Sequence, residues 1–256
     1  MARVFVTGSS DGLGRMAGQL LIEQGHTVVL HARSQERANQ AMAAVPGAET
    51  VVIGDLSSIA ETRKVAEQVN QLGTFDAVIH NAGVGYREPK RVTEDGLPHV
   101  FAVNTLAPYI LTALITRPKR LVYLSSGLHQ SGDPSLDDLA WQQRPWRAQQ
   151  AYSDTKLHDV MLAFGIARRW TNVLSNALEP GWVATKMGGP GATDDLEEGH
   201  RTQAWLAVSN DPAAIVTGEY FFHMKRRKPH PATRDPELQE KLFEACKKFC
   251  GVDLPE

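Results

Sequence analysis

The stretch Val4-Phe5-Val6-Thr7-Gly8-Ser9-Ser10-Asp11-Gly12-Leu13-Gly14 decides the fold. Three apolar residues read as a buried strand, and a helical pattern near 13–25 follows the glycine-rich run. Gly8 permits a tight turn, while Gly12 and Gly14 let backbone come close to a ligand and to the sheet. A helix that opens at such a loop offers free N–H groups and a partial positive charge, which suits a pyrophosphate. By itself the loop is equally a plain turn; its position between a strand and a helix is the context that phosphate binding needs.

Working outward, the same alternation continues. Strands are expected over 4–6, 27–30, 49–53, 77–80, 120–124 and 173–177, where β-branched residues are bounded by glycine or polar positions. Helices are expected near 34–44, 58–72, 93–117 and 150–170, and Ser58-x-x-Glu61 is a capping-box pattern opening one of them. Strand-helix alternation implies an α/β fold, a single-domain doubly wound parallel β-sheet with helices on both faces, spanning residues 1–256. Beyond 180, residues 218–224 read as one more strand and 236–251 as a terminal helix. The basic run Lys225-Arg226-Arg227-Lys228 reads as a phosphate patch or as a solvated loop. Cys246 and Cys250 share a face of the last helix; without partner ligands they read as buried thiols rather than a metal or redox pair.

Composition narrows the function classes. With 256 residues, 42% hydrophobic and 22% charged, the chain is an ordinary globular sequence. A net charge of −2 gives no reason to expect a nucleic-acid or anionic-membrane partner. The first strand begins at once, no apolar run reaches membrane-spanning length, and two cysteines make no disulfide framework. A reducing cytoplasm is the expected compartment. The nine histidines show no metal-ligand spacing, so no metal is expected.

The second strand ends His31-Ala32-Arg33. An acid at this point commonly binds the ribose hydroxyls of NAD. Here Ala32 takes that place with Arg33 beside it, and a guanidinium fork suits a 2′-phosphate, which points to NADP over NAD. Asp11 complicates the reading, since its carboxylate would either repel that phosphate or pair with Arg33.

Tyr152-Ser153-Asp154-Thr155-Lys156 places a phenol and an ammonium four residues apart, on one face of a helix. A phenol with a pKa of roughly 10 is a poor acid-base catalyst at neutrality, and a fixed cation beside it favours the phenolate. The spacing alone is equally that of an exposed helix face.

With these residues together the chain resembles the short-chain dehydrogenase/reductase family, from about residue 2 to 187 and more weakly beyond. The motifs stand in the family's order. The resemblance implies that Gly8, Ser10, Asp11, Gly12, Leu13 and Gly14 form the cofactor loop. It implies that Asp55 and Leu56 contact the adenine, and that Asn81, Ala82 and Gly83 lie under the cofactor. Pro180, Gly181, Val183 and Thr185 fall around the nicotinamide, with Arg33, Tyr152 and Lys156 completing the cofactor contacts. The implied catalytic residues are Asn104 (proton relay), Ser126 (the second of the Ser125-Ser126 pair), Tyr152 (proton donor or acceptor) and Lys156 (its electrostatic partner and a ribose ligand). Details such as Thr93-Glu94-Asp95-Gly96 are similar to the retinol dehydrogenase-like and oxidoreductase-like members, without carrying a retinoid substrate over. The implied activity is NADP(H)-dependent interconversion of a carbonyl and an alcohol in a small-molecule substrate. Reduction of an activated C=C bond, or a non-catalytic dinucleotide sensor on the same fold, are the alternatives. Taken singly, Asn104 could stabilise a helix kink, Ser126 could end a strand and Asp55 could start a turn.

Two segments are expected to choose the substrate. Residues 127–150, with Trp141, Pro145 and Trp146, either wall a pocket or form a surface loop packing its own tryptophans. Residues 186–210 begin glycine-rich and run into an acidic helix start at 193–198, as a closing lid or a static excursion would. Trp182 and Met187 suit an apolar carbonyl compound or ordinary packing. The helix after Asn104 is short and stops before Pro118; the chains it resembles often run longer here and build their dimer interface on that helix, so the resemblance implies a monomer or homodimer rather than the usual tetramer.

Overall fold

The computed structural model describes residues 1–256. Eight strands form one sheet in the order β3-β2-β1-β4-β5-β6-β7-β8: β1 (Arg3–Val6), β2 (Thr27–Ala32), β3 (Thr50–Ile53), β4 (Ala77–His80), β5 (Arg120–Leu124), β6 (Leu174–Glu179), β7 (Tyr220–Phe222) and β8 (Lys225–Arg227). The first seven pair in parallel; β8 alone is antiparallel. Val4 faces Val28 on one side and Ala77 on the other, so β1 is central and the chain reverses direction between β1 and β4. At such a reversal the loops after β1 and β4 part and leave a crevice at the carboxyl ends of the strands.

The helices are α1 (Gly12–Glu23), α2 (Gln35–Ala44), α3 (Ile59–Gln71), α4 (His99–Phe101), α5 (Ala107–Leu114), α6 (Ala148–Arg169), α7 (Leu196–Val208) and α8 (Pro236–Cys250). Parallel strands are covered on both faces, and two apolar clusters result. The larger packs Phe5, Val29, Val78, Leu121 and Tyr123 against α3, α5, α6 and α8. The smaller packs Val4, Val6, Val28, Leu30 and Val122 against α1, α2 and α7. Residues of β1 alternate between the two clusters, as the two-residue strand period requires. Cys246 and Cys250 lie in the larger cluster as free, buried thiols.

Local chemistry fixes the helix starts. Asp11 caps α1 by accepting from Gly12 N (2.8 Å), and Ser34 caps α2 by accepting from Arg37 N (3.3 Å). The capping box at α3 closes in a modified form. Ser58 Oγ accepts from Glu61 N (3.4 Å), but the Glu61 carboxylate accepts from Asp55 N (2.8 Å) rather than from Ser58 N. It therefore ties down the loop carrying Asp55 and Leu56.

Three expectations need correction. The helix expected over 93–117 starts only at His99, and residues 102–106 are π-helical before α5 resumes. Residues 93–96 instead turn back on themselves, with Gly96 at φ +74°. Their acids are used elsewhere: Ser58 Oγ donates to Glu94 (2.5 Å) and Ile59 N to Asp95 (2.9 Å), at the positive end of α3. The strand expected over 218–224 ends at Phe222. His223 and Met224, at φ +47° and +60°, make the two-residue left-handed turn that suits a hairpin. The basic run is accordingly an exposed edge strand, β8, rather than a solvated loop.

Candidate active site

A cleft of about 1060 Å³ opens at the carboxyl ends of the strands. Its floor is the loop after β1. Ser9 Oγ donates to Val6 O (2.8 Å) and accepts from His31 N (2.8 Å), while Gly8 N donates to His31 Nδ1 (3.0 Å). His31 Nε2 in turn donates to Gly54 O (2.9 Å). One neutral ring thus joins the loops after β1 and β3, and burial pulls its pKa down to about 4. Thr7 and Asn81 join the loops after β1 and β4: Thr7 Oγ1 accepts from Asn81 N and Ala82 N (both 3.0 Å), and Asn81 Nδ2 donates to Thr7 O (2.9 Å). The closeness requires glycine. A Cβ on Gly8 would stand 2.7 Å from Ala82 Cα, and one on Gly14 2.3 Å from Asn81 Nδ2.

The far wall is α6, buried on all sides from Ala151 to Ile166. Tyr152 faces the cleft within an aromatic surround: Tyr86 meets it edge-on at 6.0 Å, and Trp141 packs behind it. Lys156 is 4% exposed, with Nζ 5.8 Å from the centre of the Tyr152 ring. Nζ donates to Leu124 O (2.7 Å) and to Asp159 Oδ2 (2.8 Å). Burial lowers the ammonium's pKa, but Asp159 and Tyr152 more than offset it, and the net shift is upward. Ser125 Oγ donates to Lys156 O (2.7 Å) and pins the end of β5 to α6, whereas Ser126 caps the short helical turn that follows, accepting from Leu128 N (3.3 Å).

Eighteen of the twenty residues singled out from the sequence line this cleft: Gly8, Ser10, Asp11, Gly12, Leu13, Arg33, Asp55, Leu56, Asn81, Ala82, Gly83, Ser126, Tyr152, Lys156, Pro180, Gly181, Val183 and Thr185. Gly14 lies behind the loop, against Asn81. Asn104 is fully buried in the π-helical turn; its side chain donates to Val84 O (3.1 Å) and Thr155 Oγ1 (3.1 Å) and accepts from Val84 N (2.8 Å). Of the two alternatives for Asp11, pairing with Arg33 does not occur. The partners of Asp11 are Lys186 and Arg37 (3.4 Å), and the Lys186 hydrogen bond is the main cause that holds its carboxyl down to about 2.

Sequence reasoning missed Arg37, Lys186, Glu179 and His31, which also line the cleft. Arg37, in the first turn of α2, reaches the cleft alongside Arg33, which precedes that helix. Its Nη2 also donates to Ser10 Oγ (3.3 Å). Nothing in the sequence near Glu179 marks it as a cleft residue. Of the segment 127–150, Trp141 and Trp146 meet edge-to-face at 5.1 Å in the cluster that holds Tyr152, and the cleft itself receives Gly127, Leu128 and Gln149. From the segment after β6, Trp182 and Met187 reach the cleft while still exposed, and Asp195 caps α7 beyond them.

The residues fit a dinucleotide. Gly12, at φ +54°, has open space where a side chain would be, the α1 N-terminus points into the cleft, and Asn81 Oδ1 is buried there without a partner. No helix is long and apolar enough to cross a membrane, and no cluster of three metal-ligating side chains occurs.

Residues 2–126 match the family model described as short chain dehydrogenase. The chain is 45% identical to the short-chain dehydrogenase chyC of Penicillium rubens, over 100% of both proteins. It is 30% identical to human Retinol dehydrogenase 13, covering 98% of this chain and 85% of that one. A solved structure, of a putative uncharacterized protein from Mycobacterium Paratuberculosis, superposes with a TM-score of 0.85 at 25% identity, covering 100% of this chain and 96% of the other. A parallel sheet that reverses at β1, a glycine-lined cleft at that reversal and these relatives place the chain among the oxidoreductases of the short-chain dehydrogenase/reductase family.

Proposed function

We propose that the protein interconverts a carbonyl and an alcohol with NADP(H), using Ser126, Tyr152 and Lys156. The observation that supports this reading is that Ser126, Tyr152 and Lys156 line the same cleft as the glycine-rich loop, with Lys156 Nζ 5.8 Å from the centre of the Tyr152 ring. In this reading Ser126 Oγ donates a hydrogen bond to the substrate oxygen and holds the carbonyl carbon in place. Tyr152 gives its phenolic proton to that oxygen during reduction and takes it back during oxidation. The Lys156 ammonium favours the phenolate by Coulombic attraction and would hold the nicotinamide ribose by donating a hydrogen bond to it. Asn104, behind Lys156, keeps the turn open through its bonds to Val84 and Thr155 and orders water that reconnects Lys156 with solvent. The bound nicotinamide supplies or accepts the hydride; the protein contributes orientation and electrostatics.

The preference for NADP over NAD rests on Arg33 and Arg37 at the adenosine end, with Ala32 where NAD-binding chains carry an acid. Trp182, Met187, Tyr86 and Leu128 favour a carbonyl compound with an apolar or aromatic body. The test is a panel of ketones, aldehydes, quinones and secondary alcohols with NADPH and NADH, with product analysis. Tyr152→Phe is expected to keep cofactor affinity and lose turnover by at least about 10²-fold, the lower range for general acid-base catalysis. Retained turnover would remove the assignment.

A further inference from the structure

We propose that Asp159 is a positioning residue of the reaction centre: its carboxylate fixes the Lys156 ammonium and sets how much of that charge acts on Tyr152. The inference rests on the acid-base reading of Tyr152 and Lys156 given above. Tyr152, Lys156 and Asp159 stand at i, i+4 and i+7 of α6, on one helix face. Asp159 is 3% exposed, and its hydrogen bond to Lys156 Nζ is 2.8 Å. A carboxylate so buried is costly unless it is paired, so the pair is a built feature of the site.

The geometry divides the three protons of the ammonium. One goes to Leu124 O and one to Asp159, which leaves one for the cleft. On that side Gly83 has no side chain; a Cβ there would stand 3.5 Å from Nζ. Asp159 therefore orients as well as neutralises. It lies one helical turn farther from Tyr152 than Lys156 does, so the phenol meets a cation with an anion behind it. The field of such a pair falls off faster with distance than that of a lone ammonium, and the phenolate is favoured less strongly.

Other titratable groups face the pair from each element packed against it. Tyr123 faces it from β5, and burial holds its hydroxyl protonated. His80 from β4 stacks on Tyr123 at 4.7 Å, and burial pulls its pKa down to about 3. His158, next to Asp159, turns to Thr105 and is likewise lowered to about 3. His129 from the turn after β5 is lowered and Tyr220 from β7 is raised, both by burial. Glu179 of β6 is raised, also by burial. Arg144 and Asp154, nearer the start of α6, pair at 2.6 Å. Burial pushes the Asp159 carboxyl up to about 6 in spite of Lys156.

The experiment is a spectroscopic titration of the phenolate in the whole protein with NADP⁺ added. Subtracting the Tyr152→Phe curve isolates Tyr152. In Asp159→Asn the Tyr152 midpoint is expected to fall by about one pH unit, because the ammonium loses its counter-charge. Asp159→Glu, which restores the charge, is expected to return it toward the wild-type value. If Asp159→Asn fails to fold, Asp159→Ser, which leaves room for water beside the ammonium, carries the same expected fall. A midpoint that stays or rises in a folded variant overturns the proposal, since a purely structural pair would change the melting temperature and not the midpoint. Turnover retained by Tyr152→Phe would instead overturn the assignment of Tyr152, whatever Asp159 does.

Discussion

Lys186, in the segment after β6, forms an ion pair with Asp11, the residue that caps α1 at the end of the glycine-rich loop. The two are 175 positions apart, and both line the cleft. Both are solvent-accessible, so the pair is modest in energy and sensitive to salt. Lys186→Ala is expected to raise the dissociation constant for NADPH by about two- to fivefold, mainly through faster release. Stopped-flow fluorescence at low and high ionic strength checks this, and the difference from wild type should shrink as salt rises.

The adenosine end makes a sharper test. Arg33→Ala and Arg37→Ala should each lower the NADPH-over-NADH preference by about tenfold, the scale of one lost charge-assisted hydrogen bond. Steady-state kcat/KM with the two cofactors measures it. An unchanged preference in both variants would refute the NADP assignment and leave the hydride chemistry untouched.

His31 predicts an acid limit to stability. Its folded pKa, about 4, is below the ordinary 6.5 because the ring is buried. The unfolded chain therefore takes up a proton below pH 6.5 that the folded chain refuses until about pH 4. Stability from this group is complete above pH 6.5 and is lost as pH falls through that window, on the order of 3 kcal/mol in all. Protonation would also turn Nδ1 into a donor facing the Gly8 N–H. Thermal melts from pH 7.5 to 4 should show the fall, and it should be smaller in His31→Asn.

Gly181 holds a backbone conformation that side chains rarely adopt. Its φ is +85°, and an added Cβ would stand 2.7 Å from Asp194 Oδ2, the acceptor of the Trp182 N–H (2.6 Å). Gly181→Ala should cost about 1 kcal/mol or more from backbone strain, seen as a lowered melting temperature. It should also raise KM, because Trp182 and Pro180 shift at the cleft.

The parallel core was legible because a buried strand followed by glycine and a helix leaves little choice of topology, and repetition of that unit to residue 177 fixed the sheet. That Tyr152, Lys156 and Ser126 would share a cleft was legible only through family motifs, since their spacing alone is common. What escaped were relationships across distant elements. Lys186 meets Asp11 only because α7 returns the chain over α1. His31 reads as an ordinary strand residue until β3 places Gly54 O beside it. The turn at His223-Met224 was hidden because neither residue belongs to the glycine and asparagine types that usually adopt positive φ. The late start of α4 was hidden because Glu94 and Asp95 look like the first turn of their own helix and instead serve α3.

Placing Lys225, Arg226 and Arg227 in β8 gives them a role in how the sheet ends. A terminal strand exposes a row of unsatisfied N–H and C=O groups that invites another chain to add on. Here that row belongs to a strand of three residues, each an exposed cation, followed by Lys228 and then Pro229, which has no N–H to offer. A second copy approaching in the same register would set like charges face to face. β8 thus acts as a guard against edge-to-edge aggregation, and replacing its cations with threonine or valine would turn this margin of the molecule into a template for unwanted pairing.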